Sequence, residues 1–352
     1  MIYIPTKKYN SYQIKPNDTL ESISLALGKR TDEVIRFHNM FANDEEIISF
    51  EFTENLRVLY ISPYISEKQI DKVPKVEFLY DKKLALKPNK QKLQYSVKSV
   101  VVSDSYKITI DCEKSVVFLE KISEYFLYEI DNKSNADPNV LITMMDELNF
   151  EVAKALYPLE ILVNDNGNWI GIYNFKKIFT RWEVLKQSIL DEFEGEEIDK
   201  RILFYDKVFQ NEIQLTALLQ NDIFLKVYFN GIFANHTHVF NFETLVNFPI
   251  LSNVKNVEYK IVQQIEEYVN DANQIEIKLE GVANDDRCLM DYEYELDEPC
   301  FSGKIPEGNY KAHYLLNGIN NYIEKIDFEC SLNANELNIV KFTAEIKTTL
   351  KK

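Results

Sequence analysis

Glycine is scarce, with nine in 352 residues. That leaves little material for phosphate-cradling loops, and no G-x-x-x-x-G-K, G-x-G-x-x-G or G-x-S-x-G run occurs. Histidine is scarcer: His38, His236, His238 and His313 are all there is, and no H-E-x-x-H appears. The four cysteines, Cys112, Cys288, Cys300 and Cys330, form no C-x-x-C pair and no zinc spacing. Reduced, inert thiols are expected, with Cys288 and Cys300 the pair able to close under oxidising conditions. No stretch approaches the ~18 apolar residues of a membrane span. Basic charge is also short: the net charge is −16 and the sequence pI about 4.9. Nucleic acid is therefore not an expected partner, because phosphate contacts need clustered Lys and Arg.

The same scarcity limits metal chemistry. His236-Thr237-His238 on a strand would turn both rings to one face. No Asp, Glu or Cys lies close with ligand spacing, so a solvated loop is expected there. Asp291, Glu293 and Glu295 alternate with Tyr292, Tyr294 and Leu296. That is a half-exposed strand rather than a calcium loop. No metal, cofactor or catalytic residue is expected. The opening residues, Met1 to Lys8, are too short and polar for a signal peptide. The expectation is a cytoplasmic protein, or one exported by a dedicated machine.

What the chain does hold is 45% hydrophobic and 13% aromatic residues, enough for a substantial core. Its most specific stretch is residues 1–66. Tyr12-Gln13-Ile14 alternates as a short strand would. Asp18 is placed to cap a first helix, with Glu21 as its capping-box partner. Leu20, Ile23 and Leu27 share one helical face, and Gly28 sits where a left-handed C-terminal residue is wanted. Thr31 is placed to cap a second helix, with Asp32 and Glu33 in its first turn. Leu56 to Ile61 closes the pattern as a strand, ended by Pro63.

This order resembles a LysM module, a small βααβ unit. The resemblance implies a binding role, often toward glycans containing N-acetylglucosamine. On that reading Asn17, Asp18, Thr19 and Asn39 would line the glycan groove. Two departures favour a protein partner instead. Asn17-Asp18-Thr19 stands where the family usually has Gly-Asp-Thr. The insertion 41–55 has no glycine but carries Asp44, Glu45, Glu46, Glu51 and Glu54 around Phe50 and Phe52. Aromatic anchors in a charged rim are interface chemistry. Phe50, Phe52, Glu45 and Glu46 are therefore the expected partner-binding residues.

Residues 67–92 read as a lysine-rich linker broken by Pro74 and Pro88. Residues 93–352 read as an acidic α+β body in β–α–β order. Strands are expected over 93–131, with Val116–Leu119 separate from Tyr106–Ile110. Asp137-Pro138 opens a helix running to Tyr157. The turn Asn164-Asp165-Asn166-Gly167-Asn168 predicts a hairpin. Helices follow over 175–193 and 196–230, and strands return over 237–348. The two β parts are expected to pack against a central helical layer.

The segment from Pro158 to Phe233, through Leu159-Glu160-Ile161, Tyr173-Asn174 and Arg181-Trp182, is similar to LysM-bearing proteins of bacterial contractile injection, or type VI secretion, loci. That resemblance implies a non-enzymatic adaptor that couples an effector or spike component to the machine. Two other readings stay open: a peptidoglycan- or chitin-binding protein, and a diverged cell-wall hydrolase.

Overall fold

A computed structural model of the chain describes residues 9–16, 18–27, 29–49, 51–53, 56–62, 74–79, 82–103, 106–133, 144–250, 256–288, 291, 305–335 and 338–349. The chain divides into two compact units, Met1–Lys75 and Val76–Lys352.

In the first unit, strand β1 (Asn10–Gln13) pairs antiparallel with β2 (Val58–Ile61). Helices α1 (Leu20–Leu27) and α2 (Thr31–Asn39) lie between them in sequence, with a 3-10 turn at Asp44–Glu46. Leu20, Ile23, Val34, Ile48, Leu56, Leu59 and Ile61 form the core. The capping differs from expectation by one residue. Ser22 N–H donates to Thr19 Oγ1 (3.0 Å) and Thr19 N–H to Ser22 Oγ (2.9 Å), so Thr19 caps α1. Asp18 instead accepts from Lys15 N–H (2.7 Å) and Tyr12 hydroxyl (3.0 Å), tying the loop to β1. Gly28 and Pro63 lie outside the described residues.

The body contains one 11-stranded antiparallel sheet. Its first five strands are β3 (Leu93–Ser103), β4 (Tyr106–Ile122), β5 (Tyr125–Asn132), β6 (Leu159–Val163) and β7 (Trp169–Ile172). Its last six are β8 (Asn241–Phe248), β9 (Val257–Ile265), β10 (Gln274–Ala283), β11 (Glu307–Asn317), β12 (Ile323–Asn335) and β13 (Asn338–Thr348). Each group is a meander, and β13 pairs with β3 to join them. The spatial order is β7-β6-β5-β4-β3-β13-β12-β11-β10-β9-β8. Helix α3 (Met144–Ala153) follows β5. Helices α4 (Phe175–Glu192), α5 (Glu196–Phe209), α6 (Glu212–Leu219) and α7 (Ile223–Tyr228) connect one edge strand, β7, to the other, β8.

The sheet curls around the end of α7 and the segment that follows it. Phe229 packs on Tyr128 of β5, and Tyr228 hydroxyl meets Tyr95 hydroxyl of β3 at 2.9 Å. Asn230 Nδ2 donates to Tyr310 and Tyr314 of β11 (2.9 and 3.1 Å), and Gln263 of β9 donates to Ile232 O (2.9 Å). β5 and β9 are seven strand spacings apart in the sheet order, which in a flat sheet is about 34 Å. A five-residue stretch reaches both only because the sheet wraps round it. The inner row Tyr95, Val97, Tyr259, Ile277, Tyr314 and Ile326 is buried. The outer face carries cross-strand polar rows such as Lys278, His313, Asp327, Glu345 and Lys98.

This overturns the expected architecture. The chain is 27% helix and 41% strand, and the two β regions are halves of one sheet, not separate parts on a helical layer. The joining ladder pairs Tyr95 with Thr348. Local alternation carries no information about a partner that distant in sequence. The expected second and third strands are the single β4, and the expected helix 196–230 is three helices. Asn211 Oδ1 accepts from Ile213 and Gln214 N–H, and Asp222 Oδ1 from Leu225 N–H, so each break has its own cap. Helix α3 ends at Ala153 rather than Tyr157. Its expected start at Asp137-Pro138 lies outside the described residues.

The linker also ends earlier than expected. Residues 76–79 and 82–92 belong to the body, with Leu84 fully buried and Val76 N–H donating to Glu267 O at 2.9 Å. Five lysines, Lys82, Lys83, Lys87, Lys90 and Lys92, gave these residues a tether's composition. Their apolar partners Val76, Phe78 and Leu84 decide the packing.

Candidate functional site: a cleft at the edges of the sheet

A cleft of about 860 Å³ lies in the body. Trp169 and Ile170 of β7 line one side, and Phe242, Thr244, Leu245, Val246 and Asn247 of β8 the other. The 229–234 segment and α6, through Thr216 and Ala217, supply its floor and remaining wall. The hairpin turn predicted from Asn-Gly positions this floor. Phe233 N–H donates to Asn166 O at 3.0 Å, and Asn168 pairs with Asn230. Gly231 has φ +70°, and a Cβ there would overlap the Asn168 amide. The close approach of the two loops therefore requires glycine.

The lining is neutral and polar in an acidic protein. Among the described residues it includes no Asp, Glu, His or Cys, and one cation, Lys226. Asn230 and Gln263 spend their amides on the fold. The side-chain amides of Asn168, Gln220, Asn221 and Asn247 have no partner among the described residues and are available to a ligand. Lys226 has no carboxylate partner among them either. Burial pushes its ammonium pKa down. Trp169, Phe229 and Phe242 add aromatic surface. The arrangement can bind a ligand bearing both donors and acceptors. It holds no nucleophile–base pair and no carboxylate dyad. A second, apolar cavity near Tyr128, Tyr228 and Phe233 measures about 50 Å³, room for only a few waters.

The sequence-derived residues fall elsewhere, in the first unit. Asn17 and Phe50 lie outside the described residues. Thr19 is exposed but engaged in its cap, and Asp18 is half-buried with two donors. Asn39 is held at both ends of its amide: Nδ2 donates to Ile48 O (2.7 Å) and Oδ1 accepts from Ile48 N–H (2.9 Å). Phe52 packs half-buried against the core of the unit. Glu45 is exposed, while Glu46 accepts from Asn43 in a capping box. Of the four expected interface residues, Glu45 alone is both described and unengaged.

His38 is fully buried. Tyr60 N–H donates to its Nδ1 (3.1 Å), which leaves the proton on Nε2 to be donated to Glu46 O (3.0 Å). His38→Ala would orphan two buried backbone groups, each costing about 1–3 kcal/mol. Amide exchange at Val58–Ile61 is expected to accelerate strongly while that of the body stays unchanged.

His236 and His238 do not converge. His236 is buried between Lys82 O (3.2 Å) and Gln263 (3.1 Å), and His238 is exposed. No group of three or more His, Cys, Asp or Glu arranged for a metal occurs among the described residues. Cys112 and Cys330 are free thiols, and burial drives Cys330 up to about 12. Cys300 and residues 292–298 lie outside the described residues.

No family model and no curated protein matches the chain. Among solved structures it is similar to a lipovitellin described under lipid–protein interactions, with TM-score 0.34 and 8% identity over 74% of this chain. The chain spans about a quarter of that lipovitellin, 26% of its length. It is also similar to a DUF1329 family protein from Desulfovibrio piger, with TM-score 0.20 and 7% identity. That match covers 75% of this chain and 88% of the other. Similarity this low carries no statement about function.

Proposed function

We propose that this is a non-catalytic binding protein acting as an adaptor, with the body cleft as its receptor site. The observation that carries the reading is the lining: unengaged amides, aromatics and one unpaired lysine, without a carboxylate, imidazole or thiol among the described residues. Concave sites with a few convergent polar groups are the usual form of a binding site. The first unit is proposed to be a LysM module used for docking. The whole chain is proposed to couple an effector or spike component to a contractile secretion machine, a reading supported by the sequence resemblances alone.

Co-expression with the proteins encoded beside it, followed by gel filtration, tests this. One neighbour is expected to co-elute as a stoichiometric complex that Ala217→Trp, which fills the cleft, abolishes. Turnover of peptidoglycan by the purified chain would contradict the proposal. So would saturable binding of N-acetylglucosamine oligomers that is lost on Asp18→Ala and indifferent to Ala217→Trp.

A further inference from the structure

The ligand class can be narrowed, on the basis of that binding reading, from the backbone of β8. Among the described residues β8 is an edge strand, paired with β9 alone. Ile265 N–H donates to Phe240 O at 3.0 Å. In an antiparallel ladder, hydrogen-bonded pairs alternate with non-hydrogen-bonded ones. Counting from Phe240, the residues Phe242, Thr244 and Val246 turn their backbone groups toward β9. Glu243, Leu245 and Asn247 turn theirs away from the sheet, each offering one donor and one acceptor.

These outward groups lie at the cleft. Thr244, Leu245, Val246 and Asn247 are consecutive, and all line it. Successive side chains of a strand point to opposite faces. A cavity touching all four therefore runs along the edge rather than over one face.

Among the described residues the edge is unguarded. Natural edge strands are blunted by proline, lysine, bulges or shortness. β8 has eight residues, no proline, no lysine and no register shift against β9. Its single charge, Glu243, is neutralised by Lys260 at 2.8 Å. The opposite edge, β7, has four residues, a register shift against β6, and α6 beside it. Charge adds a second requirement. Lys226 is half-buried in the cleft with no anion beside it among the described residues, in a chain of net charge −16.

We propose that the cleft takes an extended peptide segment of a partner protein, added as a further strand along β8, with an acidic side chain of that segment set against Lys226. Main-chain pairing supplies affinity in this mode, and alternate side chains supply specificity. The segment's inward side chains would meet Trp169 and Phe229.

The full chain is panned against a random dodecapeptide library on phage, and the selected peptide is then titrated as a synthetic molecule. Selected sequences are expected to share an Asp or Glu. Leu245→Pro removes only an outward N–H, a change edge strands tolerate. It should keep the melt and weaken binding by about tenfold or more. Leu245→Ala, which keeps that N–H, should cost less than about threefold. Lys226→Met should weaken the acidic peptide and leave its amide analogue unchanged, a coupling that a double-mutant cycle isolates. If Leu245→Pro fails to fold, backbone N-methylation along the peptide replaces it, with losses expected at every second position. Uniform tolerance of N-methylation, or peptide binding indifferent to Leu245→Pro, overturns the proposal. A library without binders also overturns it. If N-acetylglucosamine oligomers then bind and Ala217→Trp abolishes that, the cleft remains a receptor and only the strand is lost. If nothing binds there, both readings fail.

Discussion

Gly281→Val is expected to abolish the cooperative melt of the body. Gly281 lies in β10 opposite Ile261 of β9. A Cβ at this position would overlap Lys260 O and sit 2.6 Å from Ile261 Cα. Both are backbone atoms, so no rotamer change relieves the contact. The two strands would have to separate, and they carry Tyr259, Ile261, Ile277 and Leu279 of the inner row. Overpacking at a site that cannot relax belongs to the severe class, beyond about 4 kcal/mol. Against total stabilities of about 5–15 kcal/mol, that is enough to unfold a domain. Gly171 in β7 is the matched control, because a Cβ there meets nothing within 4 Å. Gly171→Val should leave the melt within about 0.5 kcal/mol of the parent. A folded Gly281→Val protein with an unchanged melting temperature would show that β9 and β10 do not approach as described.

The second large effect is expected from where the body is made to begin. A chain starting at Val76 should melt cooperatively, whereas one starting at Leu93 should be severely destabilised. Residues 76–92 bury Val76 and Leu84, each contributing about 1.5–3 kcal/mol. They also satisfy groups of the body. Asn321 Nδ2 donates to Ala85 O (2.9 Å), His236 Nδ1 meets Lys82 O (3.2 Å), and Lys83 Nζ bonds Asp165 (2.6 Å) and Asn166 (2.8 Å). Removing the Ala85 and Lys82 carbonyls orphans the buried Asn321 and His236 side chains at about 1–3 kcal/mol each. Leu84→Ala in the full chain should reproduce part of the loss, about 2–5 kcal/mol. Differential scanning calorimetry of the two truncations decides the matter. Equal melting temperatures would restore 76–92 to the role of a tether.

The same segment shows what was legible in the sequence. Caps and turns were in part: Thr19 within one residue of the expected cap, the hairpin at Asn166-Gly167, and most strand positions, whereas Thr31, expected to cap α2, is its first helical residue with Arg30 at the cap position. These are local chemistry, written in neighbouring residues. The breaks inside 196–230 were also written there, in Asn211 and Asp222, but the long apolar periodicity masked them. The joining of β3 to β13 was not legible, because pairing between distant alternating strands leaves no local trace. That single ladder converts an expected layered α+β body into one curled sheet. The cleft was hidden for the same reason, since its residues come from β7, α6, the 229–234 segment, β8, β9 and β10. One signal was readable. Along β9 the inward set is Val257, Tyr259, Ile261, Gln263 and Ile265, and Gln263 alone is polar. A buried amide in an apolar alternation marks a place where the chain must satisfy backbone from elsewhere, here Ile232 O.

The measurement closest to the central claim is amide hydrogen exchange of the full chain, free and saturated with the peptide selected against it. A receptor cleft in the body predicts slowed exchange at Glu243, Leu245 and Asn247, which have no ladder partner in the free protein, and in 216–234. Exchange over 18–48 should not change. Protection confined to 18–48, with β8 unaffected, would place binding in the first unit and contradict the account.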